Sequence, residues 1–214
     1  MRRVALAALF FAGPACAQQP AAPPAQQPVS PQVRAVIERS WNPSVDFGVV
    51  QTVRVTSGGE TTEHTQAEYQ RGTMHRVETS YARVIANCET GDTIRYILAE
   101  DRVERSPGND RGACGVGNAE PILSSRMLPS VAGSWGRANV IELTGQDFVR
   151  RYVVTEDGIL VSGDWTPRRP DVGFAIRTLR VAVTRGAPDP AMFEETSLRR
   201  AFAQPLPEDG PPAP

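Results

Sequence analysis

Phe47-Gly48-Val49-Val50-Gln51-Thr52-Val53-Arg54-Val55-Thr56-Ser57-Gly58-Gly59-Glu60-Thr61-Thr62-Glu63-His64-Thr65-Gln66-Ala67-Glu68-Tyr69-Gln70-Arg71 decides the fold of this 214-residue chain. Phe47, Val49, Val53 and Val55 alternate with Gly48, Thr52 and Arg54. Ser57-Gly58-Gly59-Glu60 offers a tight turn, and Thr65, Ala67 and Tyr69 then alternate with His64, Gln66, Glu68 and Gln70. A period of two buries one face of a strand and solvates the other, the pattern of antiparallel rather than parallel sheets. The two runs are expected to pair as a hairpin.

The same period continues outward. Arg71-Gly72 is a second turn, Met74–Ser80 and Tyr81–Cys88 are expected strands, and Glu89-Thr90-Gly91-Asp92 leads into Thr93–Ala99, with Ile94, Tyr96 and Leu98 on one face. Alternation stops near Arg105, and the Gly-rich residues 105–118 read as an irregular loop. Ala119–Leu128 is expected to form a short helix and Pro129–Gly136 an irregular piece. Strands return at Ala138–Leu143, Phe148–Thr155, Ile159–Trp165 and Val172–Thr184, with Asp157-Gly158 a strong hairpin signal. Upstream, Ser30-Pro31 is an N-cap followed by a first-turn proline, opening a helix to about Ser40 that buries Val33, Val36 and Ile37. Downstream, Asp189-Pro190 opens a short terminal helix whose Met192 and Phe193 dock on the sheet. The expected fold is mostly β, one antiparallel domain over 32–203 with short helices at its N-terminus, in the middle insertion and near its C-terminus.

The ends read as delivery. Met1-Arg2-Arg3, the apolar run Val4–Ala12 and Ala15-Cys16-Ala17 have the basic start, short apolar core and cleavage site of a secretory signal peptide, 1–17, cut after Ala17. The alternative, an acylated Cys16, is disfavoured by Gly13, which stands where lipoprotein signals usually carry Leu. Residues 18–31 and 204–214 are rich in Pro, Gln and Ala and too poor in apolar anchors to order themselves. Cleavage removes Arg2 and Arg3, leaving 21 basic residues against 24 acidic ones. A balance so mildly negative argues against a nucleic-acid partner. No second apolar run is long enough to span a membrane. The mature chain keeps two cysteines, Cys88 and Cys114, which are expected to pair in an oxidising compartment.

Catalytic and metal signatures fail one by one, and neither an enzyme nor a cofactor is expected. The chain has no lysine, which removes Schiff-base and P-loop chemistry. His64 and His75 are the only histidines and fall in or beside the polar phase of strands, where they read as solvated or edge residues rather than metal ligands. Ser134 lies in Ala132-Gly133-Ser134-Trp135-Gly136, without the glycine two positions upstream that a nucleophile elbow needs. Glu60, Glu63, Glu68, Glu78, Glu142 and Asp147 are assigned to solvated faces. Arg54, Arg71, Arg76, Arg83 and Arg95 recur on successive strands and are expected to pair across them with Glu63, Glu68 and Glu78. Trp41, Trp135 and Trp165 read as core or rim aromatics.

A signal peptide, a short N-terminal helix and the phrase Gly72-Thr73-Met74-His75-Arg76-Val77-Glu78, then a middle insertion, the hairpin Phe148–Leu160 and the ending Gly186–Phe193, resemble the periplasmic outer-membrane lipoprotein carriers of the LolA, LolB and RseB type. The resemblance spans roughly residues 32–195 and is one of pattern. It implies a curved sheet, an open half-barrel whose concave face accepts an acyl chain or a partner's apolar segment. Residues for that face are Val49, Val53, Tyr69, Ile94, Tyr96, Leu98, Ile141, Tyr152, Ile159 and Phe174. The implied function is periplasmic, non-enzymatic binding of a lipid, lipoprotein or other apolar ligand. The alternative is an envelope sensor or scaffold that holds a protein partner through the sheet edge or the 105–118 loop.

Overall fold

The computed structural model describes residues 29–108, 113–117, 121–208 and 210–214. The expected signal peptide, most of the leader and part of the Gly-rich loop lie outside them. Helix α1 (Pro31–Trp41) precedes β1 (Phe47–Ser57), β2 (Glu60–Arg71), β3 (Met74–Glu78), β4 (Ala82–Asn87), β5 (Thr93–Ile97) and β6 (Arg102–Ser106). A second run follows, β7 (Ser124–Gly133), β8 (Gly136–Thr144), β9 (Phe148–Thr155), β10 (Leu160–Pro167) and β11 (Phe174–Arg185). The eleven strands among the described residues form one sheet in the order β6-β5-β4-β3-β2-β1-β11-β10-β9-β8-β7. Two meanders are thus joined by antiparallel pairing of the first strand with the last. The sheet is not closed, and β6 and β7 are its edges. The expected mostly β architecture is the one adopted.

Local chemistry explains most boundaries. Ser30 Oγ accepts the Val33 N–H at 3.3 Å, and Pro31 starts the helix where a missing N–H costs nothing. The first hairpin runs in register from Phe47↔Gln70 to Ser57↔Glu60. In that ladder Tyr69 lies across its partner Gly48, and in the β9–β10 ladder Tyr152 lies across its partner Gly163. A Cβ at either glycine would meet the ring at 3.2 Å, so each glycine makes the slot that its tyrosine fills.

Two expectations fail in the middle of the chain. The helix expected over Ala119–Leu128 and the irregular Pro129–Gly136 are replaced by β7, which runs from Ser124 through Pro129 to Gly133 and turns at Ser134-Trp135 into β8. Proline is tolerated there because β7 is an edge strand, and the register slips between Leu128 and Val131. The strand β6 was also unforeseen. A 3-10 turn at Leu98–Glu100, closed by Asp101 at φ 47°, returns the chain along β5. Near the C-terminus the expected helix is two 3-10 turns, Pro190–Phe193 and Glu195–Arg199.

Three clusters form the core. Val33, Val36 and Ile37 of α1 pack on Ile141, Leu143, Tyr152 and Val154. The opposite side of the same strands, with Ala138, Val140 and Val153, packs on Phe47, Val49 and Val181 of β1 and β11. The second meander is therefore a middle layer between the helix and the start of the first meander. The third cluster covers the other side of β1 and β2, where Ala67 and Tyr69 meet Met192, Phe193 and Phe202 of the C-terminal segment. Burial, and secondarily the charge of Glu78, pushes the Tyr69 phenol up to about 12.

That segment is fastened by a buried ion pair. Arg76 is 0% exposed. Its Nε donates to Glu78 Oε1 at 2.7 Å, Nη1 to the Met192 carbonyl and Ser197 Oγ at 2.7 Å each, and Nη2 to the Arg200 carbonyl at 2.8 Å. Glu78 in turn accepts the Phe202 and Ala203 N–H groups at 3.0 Å. Two expectations are corrected: Glu78 does not lie on a solvated face, and Arg76 pairs along its own strand rather than across strands, because the C-terminal segment covers that face and no alternation pattern announces it. Arg54 and Glu63 do pair across strands on an exposed face, at 2.7 Å.

Candidate functional site

Following the register across the sheet places the ten residues expected to face a ligand. Val49, Val53, Ile141, Tyr152 and Phe174 fall on one side, Tyr69, Ile94 and Tyr96 on the other. Leu98 sits in the 3-10 turn, and Ile159 just before β10. Ile141 and Tyr152 are packed beneath α1, while Val49 and Ile159 are buried where the second meander covers the first. Val53 is buried as well. Phe174 joins Phe148 and Trp165 in an aromatic group with centroids 5.5–6.4 Å apart. Tyr69 lies under Met192, and the Tyr96 hydroxyl donates to Asp101 Oδ1 at 2.8 Å. The structure does not bring these ten together around one space.

Among the cavities the described residues do form, one of about 390 Å³ borders Tyr69 and Met192, and another lies further out on the side of Val49, over β2 to β5. This second cavity, of about 360 Å³, is lined by Glu68, Val77, Tyr81, Ala82, Val84 and Arg95, with Ala113 and Gly115 opposite. Glu68, Val77, Val84 and Arg95 are successive register partners on four neighbouring strands. They make one row with an acid at one end, two valines in the middle and a guanidinium at the other. Strands are spaced about 4.8 Å apart, so the row measures about 14 Å between its outer Cα atoms. Tyr81, 70% exposed, stands at the rim.

The far wall is the described stretch 113–117 between the two sheet edges, and it is fixed at three points. Cys114 is disulfide-bonded to Cys88 at the end of β4, with Cα atoms 5.8 Å apart, as the sequence led one to expect. Trp41 Nε1–H donates to the Val116 carbonyl at 2.9 Å, and the Val116 N–H donates to Ser40 Oγ at 3.0 Å. Gly115 is forced by closeness: its φ is +105°, and a Cβ there would lie 2.4 Å from the Ser40 carbonyl oxygen. Gly115→Ala should therefore cost about 1–3 kcal/mol from backbone strain, with the clash added. A shift of the urea midpoint at unchanged slope would show it.

Beside the groove stands His75, only 2% exposed rather than solvated or at an edge as expected. Its Nδ1 bonds Gln70 Oε1 at 2.9 Å, its Nε2 faces Glu68 Oε2 at 3.4 Å, and Phe47 meets the ring edge-on. His64 bonds Thr62 Oγ1 at 2.8 Å. Among the described residues no three His, Cys, Asp or Glu side chains gather as a metal site. No helix among them is long and apolar enough to cross a membrane. Val77, Val84, Tyr81 and Arg95 as a joint surface escaped the sequence reading, because only the strand register puts them in one row.

No family model and no curated protein matches the chain. Among solved structures it is similar to an uncharacterized conserved protein from Thermus thermophilus, at 15% identity over 84% of this chain and 96% of that one, TM-score 0.47. It is also similar to a LolA-superfamily protein from Nitrosomonas europaea, at 10% identity over 77% and 98%, TM-score 0.38. A third likeness is to Pseudomonas aeruginosa MucB in its complex with MucA, at 9% identity over 76% and 60%, TM-score 0.42. At identities this low the site has to be read from its own residues.

Proposed function

We propose that this is an exported, non-enzymatic envelope protein that holds an acyl chain, of a lipid or a lipoprotein, in the groove over β2–β5. The observation that carries the reading is the row Glu68-Val77-Val84-Arg95 with Tyr81 exposed at its rim. Its volume falls in the range of small-molecule sites, about 300–1,000 Å³. A chain laid on Val77, Ala82 and Val84 would gain about 0.8 kcal/mol per buried methylene. Arg95 at the end of the row is placed to meet an anionic headgroup with paired hydrogen bonds. The likeness to lipoprotein-carrier patterns in the sequence points to the same ligand class.

Native mass spectrometry with lipid extraction on protein purified from an envelope fraction tests this directly. A stoichiometric acyl lipid is expected, and delipidated protein should take up a fluorescent fatty acid. Val84→Glu, which puts a charge on the apolar floor, should weaken that uptake at least about tenfold, or 1.4 kcal/mol. An empty protein that takes up no probe would end the lipid reading.

A further inference from the structure

We infer that the edge of β11 at Leu179–Val181 is a strand-acceptor site for an extended peptide of a partner protein, occupied in this chain by its own Pro211–Ala213. The site exists because the sheet forks. At one end β10 and β11 pair at Trp165↔Ile176, and Asp164 Oδ1 accepts the Thr178 N–H at 2.8 Å. Beyond that point β10 lifts away, and Gln51 on β1 donates from Nε2 to the Val161 carbonyl of β10 at 3.2 Å. The register of β1 with β11 slips between Thr52 and Val53, passing over Leu179. Past this bulge the side of β11 facing away from β1 has a carbonyl at Leu179 and an N–H at Val181 to satisfy.

The tail satisfies both. Ala213 N–H donates to the Leu179 carbonyl at 2.9 Å, and the Val181 N–H donates to the Pro211 carbonyl at 3.2 Å, forming an antiparallel bridge at Arg180↔Pro212. Arg180 Nη1 adds a bond to the Glu208 carbonyl at 3.2 Å. Ala213 packs against the cluster of Phe47, Val49 and Val181. Yet this occupant is a poor strand. Residues 211, 212 and 214 are prolines without an N–H, and all three are exposed. A segment with an N–H at every residue can make the same two bonds and continue the ladder, while a small apolar residue takes the place of Ala213. The edge therefore suits strand addition by an extended peptide that is small and apolar at one position and not proline-rich.

The test uses the full chain and a fluorescein-labelled peptide of residues 207–214 carrying Pro211→Thr and Pro212→Val, followed by anisotropy. Wild type should bind weakly. Ala213→Asp, which expels the tail, should bind at least tenfold more tightly, and Pro212→Gly should move the same way by a smaller factor. Amide exchange at Val181 should quicken in Ala213→Asp and slow again with peptide. Equal affinities across the three proteins, or a Val181 amide that peptide does not protect, overturn the proposal.

Discussion

Arg76→Met, with Glu78 left in place, is expected to lower the unfolding free energy by about 3–5 kcal/mol, because it strands a buried carboxylate without its partner. The same change removes the donors that hold the Met192, Ser197 and Arg200 carbonyl or hydroxyl oxygens. The C-terminal segment should then detach before the sheet unfolds, and trypsin should cut after Arg199 and Arg200 faster than in wild type. The double change R76M/E78Q should recover part of the loss: no charge is left alone, and the glutamine oxygen still accepts from Phe202 or Ala203. A double variant as unstable as R76M would mean that the damage comes from lost packing over Phe202, whose ring lies 4.9 Å from the Arg76 guanidinium carbon, rather than from the orphaned charge.

The second large effect belongs to the disulfide. Cys88 and Cys114 are 26 positions apart. In the chain-entropy account a closure of that length is worth about 3.5 kcal/mol, so C88S/C114S should lose about that much in urea unfolding. The loss should not dismantle the groove, since Trp41 and Ser40 still hold Val116. Fatty-acid uptake measured well below the unfolding midpoint should fall by a small factor only. Abolition of uptake in a folded double variant would show that the cystine itself sets the position of Ala113 and Gly115.

Alternation alone was enough to find most of the sheet, because most of its strands bury one face and keep a period of two. It was blind to β7, where Pro129 looks like a break unless the strand is known to lie at an edge. It was also blind to the roles of faces. Arg76 and Glu78 occupy positions that look solvated, and only the return of the C-terminal segment buries them. The site suffered most. Val77 and Val84 are adjacent only through a register that no single strand encodes, whereas Ile141 and Tyr152 looked equally available until α1 was found on top of them.

The pairing of β1 with β11 has a consequence in time. Phe47 and Arg185 are register partners 138 positions apart (185 minus 47). Contacts so distant in sequence make folding slow, since the ordering entropy of the intervening chain is lost before the contact forms. The β1–β6 meander and the loop closed by Cys88 and Cys114 are local and can form early. Until the last strand arrives, β1 waits with a bare edge open to any other extended chain. Aggregation during refolding should therefore track the delay in docking β11, and anything that shields the β1 edge in that interval should raise the yield of native protein.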